Sequence, residues 1–194
     1  MMGKIRFGIV GTSNIANIFL RAASRVKDFE LVAVYSRNLE KAREFGTLYG
    51  ASIFFDDLEQ MAKSKDIDAV YIASPNALHS KQTITCLKHK KHVLCEKSLA
   101  SNLKEVKSMI KTAKDNNVLL MEAMRITCVP NFKAVKENLY KIGKIRRFFG
   151  SYCQYSSRYD KYKNGIIENA FKKELSNGAL MDIGVYCIHP MVNL

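Results

Sequence analysis

Gly8-Ile9-Val10-Gly11-Thr12-Ser13-Asn14-Ile15-Ala16 is the stretch whose reading decides the fold of this chain. Residues 4–10 carry Ile5, Phe7, Ile9 and Val10, the apolar density of a buried strand. Residues 11–14 form a turn, after which Ile15, Ile18, Phe19 and Ala22 recur at helical spacing. The same strand-then-helix pattern repeats downstream. Residues 30–36 read as a strand, and Asn38 is placed to cap a helix running to Tyr49. A short extended piece at Ile53–Phe55 precedes a helix near Leu58–Lys63. Residues 69–73 form a strand broken by Pro75-Asn76, where Asn76 is placed to cap a helix to about Lys90. After the strand His92–Cys95, Ser101 or Asn102 caps a helix with Leu103, Val106, Ile110 and Ala113 on one face. A last strand follows at 118–123. No hairpin signal joins these strands. Such alternation predicts an α/β fold with a Rossmann-type, doubly wound parallel sheet.

Beyond Met124 the texture changes. Pro130 opens a helix to Lys141, and Gly143 ends it. Residues 145–156 are a long extended run, 158–177 are polar and irregular, and 178–189 read as a helix. Two domains are expected: 1–124, and 125–194 as the start of an α+β domain with an incomplete antiparallel sheet.

Composition narrows the function classes. The chain has 194 residues, 47% of them hydrophobic, enough for a sizeable core. No apolar run reaches membrane-spanning length, and the N-terminus leads straight into a strand. The five cysteines (Cys86, Cys95, Cys128, Cys153, Cys187) are odd in number and widely spaced, which suits neither a disulfide framework nor a zinc motif. A reduced cytoplasmic protein without a metal is the expectation. Net charge is +13, and residues 133–173 hold eleven Lys/Arg against three Asp/Glu, interleaved with Phe148, Phe149, Tyr152, Tyr155, Tyr159 and Tyr162. That pattern is compatible with nucleic-acid binding. A solvated basic face beside a half-buried strand is the simpler account, and no nucleic-acid partner is expected. A basic field also favours a phosphorylated cofactor.

Five segments carry chemistry. Gly11 and Ala16 match the tight-turn and close-packing positions of a dinucleotide fingerprint, while Ser13 replaces the middle glycine. Thr12, Ser13, Asn14 and Ile15, at the helix start, can still meet a phosphate through hydroxyls and the helix dipole. At the end of the second strand, Tyr35-Ser36-Arg37 lacks the acidic residue that usually binds an NAD ribose. Ser36, Arg37 and Lys41 suit a 2′-phosphate instead, so NADP is expected over NAD. Ser74, Pro75, Asn76 and His79 end the strand that lies beside the cofactor, where they can be structural or can meet ribose or nicotinamide. Glu96-Lys97 follows the strand His92–Cys95, at the edge where open α/β sheets bind ligands. A lysine there can serve as a proton donor or acceptor. In a helix at 178–189, Asp182, Tyr186 and His189 share a stripe at i, i+4 and i+7 that can orient a hydroxylated substrate.

Together these segments resemble the Gfo/Idh/MocA family of NAD(P)-dependent oxidoreductases. Along the chain run a glycine turn, Ser-Arg, Pro-Asn-x-x-His, Glu-Lys and Gly-Ala-Leu-x-Asp-x-Gly-x-Tyr-x-x-His. Tyr186 in place of a histidine makes the chain similar to the trans-dihydrodiol and glucose–fructose oxidoreductase branch. The resemblance implies hydride transfer between NADP and a sugar, polyol or dihydrodiol-like substrate. Lys97 would be the catalytic lysine, with Asp182 and Tyr186 positioning substrate or helping to move the proton. Glu96 and Lys97 would also lie at the cofactor, and Arg125 and His189 at the substrate.

Full-length members are often homo-oligomers. Ser98 stands where the family has proline, which would relax the backbone aiming Lys97. Thr127 stands where an arginine is usual, and Arg125 lies two positions earlier. Family members continue into a large antiparallel sheet of which residues 145–156 would be one strand, so a fragment or a truncated member is expected. A non-catalytic NADP- or sugar-binding regulator, or an inactive truncated member, is the alternative.

Overall fold

The computed structural model describes residues 3–194, which fall into two compact units, the first ending at Glu122 and the second spanning Ala123–Leu194. In the first, β1 (Ile5–Val10), β2 (Phe29–Tyr35), β3 (Ile53–Phe55), β4 (Ala69–Ile72), β5 (His92–Cys95) and β6 (Leu120–Glu122) form one sheet. Its order is β3-β2-β1-β4-β5-β6, and every pairing is parallel. The crossovers carry α1 (Asn14–Ala23), α2 (Leu39–Thr47), α3 (Leu58–Lys63), α4 (Asn76–Lys88) and α5 (Leu103–Asn116). Strand order reverses between β1 and β4, which opens a crevice at their carboxyl ends. The expected Rossmann-type parallel sheet is therefore present.

The sheet is buried because its central strands are apolar on both faces, as parallel strands between helices must be. All four residues of β4 are buried, and Ile9 and Val10 of β1 are fully so. Val10, Met61, Val70, Ile72, Leu87 and Cys95 belong to one cluster. Each large aliphatic side chain there contributes about 1.5–3 kcal/mol. The helix starts follow local rules. Asn38, Asp57 and Asn102 accept the N–H of Lys41, Gln60 and Glu105 at 3.0, 2.8 and 3.0 Å. Glu105 returns the favour by accepting the N–H of Ser101 at 3.0 Å, close to a capping box.

Two expectations are corrected, on α5 and α4, and the structure adds which side of α1 is buried. In α1 the buried stripe is Ala16, Leu20 and Ala23, whereas Ile15 and Ile18 are exposed. The small Ala16 face is the one that can approach β1 closely. In α5 the buried residues are Met109 and Ala113, and Leu103 and Ile110 face solvent. Pro75, not Asn76, holds the cap position of α4, and Asn76 is its buried first residue.

The second unit contains α6 (Pro130–Asn138), α7 (Tyr159–Lys163) and α8 (Val185–Asn193), linked by short 3-10 turns and irregular backbone. The expected strand at 145–156 does not form, and no strand lies among residues 123–194, so the expected antiparallel sheet is not built here. A strand needs a neighbour to bond its exposed N–H and C=O groups, and no segment of this unit supplies one. Glu168 organises the polar segment, receiving Lys161 Nζ at 2.5 Å and Arg158 Nε at 3.2 Å. Among the described residues, no helix is long and apolar enough to cross a membrane.

Candidate active site

The glycine turn closes the crevice between β1 and β4. Gly11 adopts φ +101°, a conformation that side chains rarely take, and a Cβ there would meet the Ala73 carbonyl oxygen at 2.9 Å. The Gly11 N–H donates to Tyr35 O at 3.0 Å, and the Ala73 N–H donates to Val10 O at 2.9 Å. Ser13, at the middle-glycine position, donates its hydroxyl to Ala73 O at 3.3 Å. It therefore ties the α1 start to the end of β4. Ser13 caps α1 without a side-chain bond to it, and the first turn holds no acidic residue. No carboxylate of the helix's own first turn competes for those amides and the helix dipole, as suits a helix start that receives a phosphate. Thr12, Asn14 and Ile15 surround the same turn.

At the end of β2, the Ser36 N–H donates to Phe55 O at 3.0 Å, and the Ser36 hydroxyl accepts the Asn38 N–H at 3.4 Å. Arg37 and Lys41 project into solvent at this edge. The strand end itself presents serine and arginine and no carboxylate.

The loops leaving β4 and β5 are held by side chains that the sequence reading assigned differently or passed over. His79 is left open by the sequence as a structural residue or as a ribose or nicotinamide contact. It is fully buried, with Nδ1 2.8 Å from Ser98 O and Nε2 2.8 Å from Ser74 O. Both ring nitrogens are thus engaged with backbone, which leaves no ring donor for a ligand. The Ser74 hydroxyl donates to Gln82 Oε1 at 2.5 Å, so a second side chain of α4 grips the same loop. Glu96 accepts the phenol of Tyr71 at 2.5 Å and the N–H of Lys97 at 3.2 Å. Glu122 accepts the N–H of Leu99 at 2.9 Å. Burial first, and the Glu96 carboxylate second, push the Tyr71 phenol well above its ordinary value, so it stays a proton donor to Glu96. Phe19 stacks on the Tyr71 ring at 3.9 Å between centroids.

Lys97 is half-buried, and the Lys97–Ser98 peptide is cis. Burial pushes the thiols of Cys86 and Cys95 up to about 12, so neither offers a thiolate at neutral pH.

Tyr71, Gln82 and Glu122 are the residues that sequence reasoning missed. Glu122 pairs in register with Cys95, two positions before Lys97, and Tyr71 pairs with Leu94, two before Glu96. Only a known strand order reveals these partnerships.

In the second unit, Asp182 lies on a π-helical turn, Leu180–Gly184, that runs directly into α8 with Tyr186 and His189. The π-helical turn is wider than an α-helical one, and it falls where the expected helix carries Asp182. The Asp182 N–H donates to Gly178 O at 2.9 Å. Tyr186 stacks on Tyr152, ring centroids 5.5 Å apart and planes 20° from parallel. Arg125 begins a 3-10 turn, Arg125–Cys128, with its side chain exposed.

This geometry has close relatives. The family profile described as an oxidoreductase family with an NAD-binding Rossmann fold, GFO_IDH_MocA, matches residues 5–124. A scyllo-inositol 2-dehydrogenase (NADP(+)) of Bacillus subtilis is 58% identical over 190 residues, covering 98% of this chain and 58% of the relative. A trans-1,2-dihydrobenzene-1,2-diol dehydrogenase of Xenopus laevis is 35% identical over 190 residues, covering 94% of this chain and 54% of the relative. The chain thus spans little more than half the length of these relatives. A 3-ketoreductase of Actinomadura kijaniata, solved with TDP-benzene and NADP, superposes with a TM-score of 0.68 at 28% identity, over 72% of this chain and 44% of that one. Sheet order, the turn at the crevice and sequence similarity converge, and the chain belongs to the GFO_IDH_MocA oxidoreductase family with its NAD-binding Rossmann fold.

Proposed function

We propose that the protein carrying this chain is an NADP-dependent oxidoreductase acting on a CH–OH or carbonyl carbon of a polyol, sugar or dihydrodiol-like substrate. One observation carries the reading: Lys97 follows β5, the strand next to β4, so it leaves the same carboxyl edge as the β1–β4 crevice, one strand further along. The 58% identity to an inositol dehydrogenase favours a cyclic polyol within that class.

The residues present suit the cofactor. The Gly11 turn keeps backbone where a side chain would collide with Ala73 O, and the first turn of α1 carries no acidic residue. Ser36, Arg37 and Lys41 supply hydroxyl and positive charge for a 2′-phosphate, with Ser74, Pro75 and Asn76 at the neighbouring strand end. The nicotinamide, when bound, supplies or takes the hydride. Lys97 takes the hydroxyl proton at Nζ in the oxidative direction and returns it in the reductive one, a role that contributes about 10²–10⁴-fold. Glu96 fixes the Lys97 amide and is itself fixed by Tyr71. Tyr186 serves as helper or alternative proton donor, while Asp182, His189 and Arg125 orient substrate hydroxyls.

Lys97→Ala tests the reading. Turnover of a polyol with NADP falls by about 10²-fold or more, and NADPH affinity changes by less than about threefold. Near-normal turnover removes Lys97 from the chemistry. NADPH binding by the unaltered protein, with no oxidation of any polyol, points instead to a regulator.

A further inference from the structure

Residues 97–99 are held at three successive backbone groups by side chains from three places. Glu96 takes the Lys97 N–H, His79 contacts the Ser98 carbonyl, and Glu122 takes the Leu99 N–H. Of the three, only His79 also reaches the neighbouring loop, through Ser74 O. We propose that His79 is a positioning residue for Lys97, a ring-shaped strap that locks the loop after β5 to the loop after β4.

The chemistry of the contact supports a rigid strap. Carbonyl oxygens only accept and a neutral imidazole carries one N–H, so the ring donates to one of the two carbonyls, as its tautomer sets, and packs its other nitrogen against the second. The two nitrogens sit at fixed positions on a planar ring, with both contacts at 2.8 Å and the side chain fully buried. Buried polar contacts of this kind are costly to break, because water cannot replace the lost partner. The anchor points matter as much as the ring. Ser74 is gripped a second time by Gln82 from the same helix, so α4 fixes one end of the strap independently. The other end is the residue directly after Lys97, at a position where this chain has serine and no ring of its own to restrict the backbone. A displacement of about 1 Å at a proton-transfer group costs about 100-fold in rate, so the strap acts on turnover while leaving ligand contacts in place.

This proposal rests on Lys97 being the proton-transfer group, and the test separates the two ideas. His79→Asn keeps a nitrogen donor near the Nδ1 position and retains the Ser98 bond. His79→Gln reaches toward the Nε2 position and retains the Ser74 bond only. Amide hydrogen exchange at residues 97–99 is measured for both variants, together with kcat and KM for a polyol and the dissociation constant of NADPH. The strap predicts that His79→Gln lowers kcat at least about tenfold with KM changed less than about threefold, and that exchange at 97–99 quickens. His79→Asn recovers most of the kcat and the slow exchange. Equal kcat and equal exchange in both variants and the unaltered protein overturn the proposal. If the unaltered protein turns over no polyol, the functional reading fails and exchange alone decides: faster in the Gln variant than in the Asn variant supports the strap, and equal rates overturn it.

Discussion

Replacing Gly11 by alanine should damage stability and cofactor binding together, and the size of each effect follows from two structural features. The first is backbone strain. A non-glycine residue at φ +101° costs about 1–3 kcal/mol. The second is steric. The new Cβ would stand 2.9 Å from the Ala73 carbonyl oxygen, which is backbone bonded into β4 and cannot swing aside. Relieving that overlap means parting the β1 turn from the end of β4, at a further cost of about 1 kcal/mol. The expected loss is about 2–4 kcal/mol, a fall of about 5–15 °C in Tm for a domain of this size.

Gly50→Ala is the control. Gly50 has φ +82° but nothing within 4 Å of its added Cβ, so only the strain remains, about 1–2 kcal/mol. Thermal unfolding and NADPH fluorescence titration read both variants. Gly11→Ala should weaken NADPH at least about tenfold, because the turn is displaced from where a phosphate would sit. Gly50→Ala should leave the affinity unchanged. Equal losses of stability in the two variants, with NADPH affinity intact in both, would refute the assignment of Gly11 to the crevice.

Two further outcomes follow from charges. Arg37→Ala should weaken NADPH about tenfold and NADH hardly at all, measured by titration at fixed ionic strength, because only the 2′-phosphate needs the guanidinium. Asp68 receives Arg6 Nη2 at 2.7 Å, Nε at 3.0 Å and the Arg6 backbone N–H at 2.9 Å, and the Arg6 hydrogen bonds hold its carboxyl below the usual range. A depressed carboxyl pKa means the unfolded state binds the proton more readily, so the stabilisation is present above the unfolded value and lost as pH falls through the folded one. Asp68→Asn should therefore lower Tm by about 2–4 °C at pH 7, with the gap to the unaltered protein closing below about pH 4 in a pH series of melts.

The parallel sheet was legible because its strands are short apolar runs separated by helical spacing and cap residues, each acting locally. Asn38 and Asn102 cap their helices through side chains three residues from the N–H groups they bond, a distance sequence reading handles well, whereas the Asp57 cap was passed over. Which face of α1 or α5 turns inward was less legible, since it depends on how closely a helix can approach the sheet and not on which residues are largest. The buried face of α4 was hardest. It carries His79, Gln82 and Thr83 alongside Cys86 and Leu87, so an apolar stripe is missing where a polar one grips the site loops. Residues 145–156 have the composition of a strand, but pairing is a property of two segments and only one is present. Tyr186 makes the chain similar to the trans-dihydrodiol and glucose–fructose oxidoreductase branch, within an expected sugar, polyol or dihydrodiol-like substrate class. Identity over the matched 190 residues is 58% to the inositol dehydrogenase and 35% to the dihydrodiol dehydrogenase.

The central claim is hydride transfer to NADP, and isotope transfer tests it most directly. The protein is incubated with NADP and scyllo-inositol deuterated at its ring carbons, and the nicotinamide product is analysed by mass spectrometry. The account predicts reduced cofactor carrying one deuterium, formed by the unaltered protein and nearly absent with Lys97→Ala. Reduced cofactor without deuterium, or Lys97→Ala forming labelled product at the unaltered rate, contradicts it.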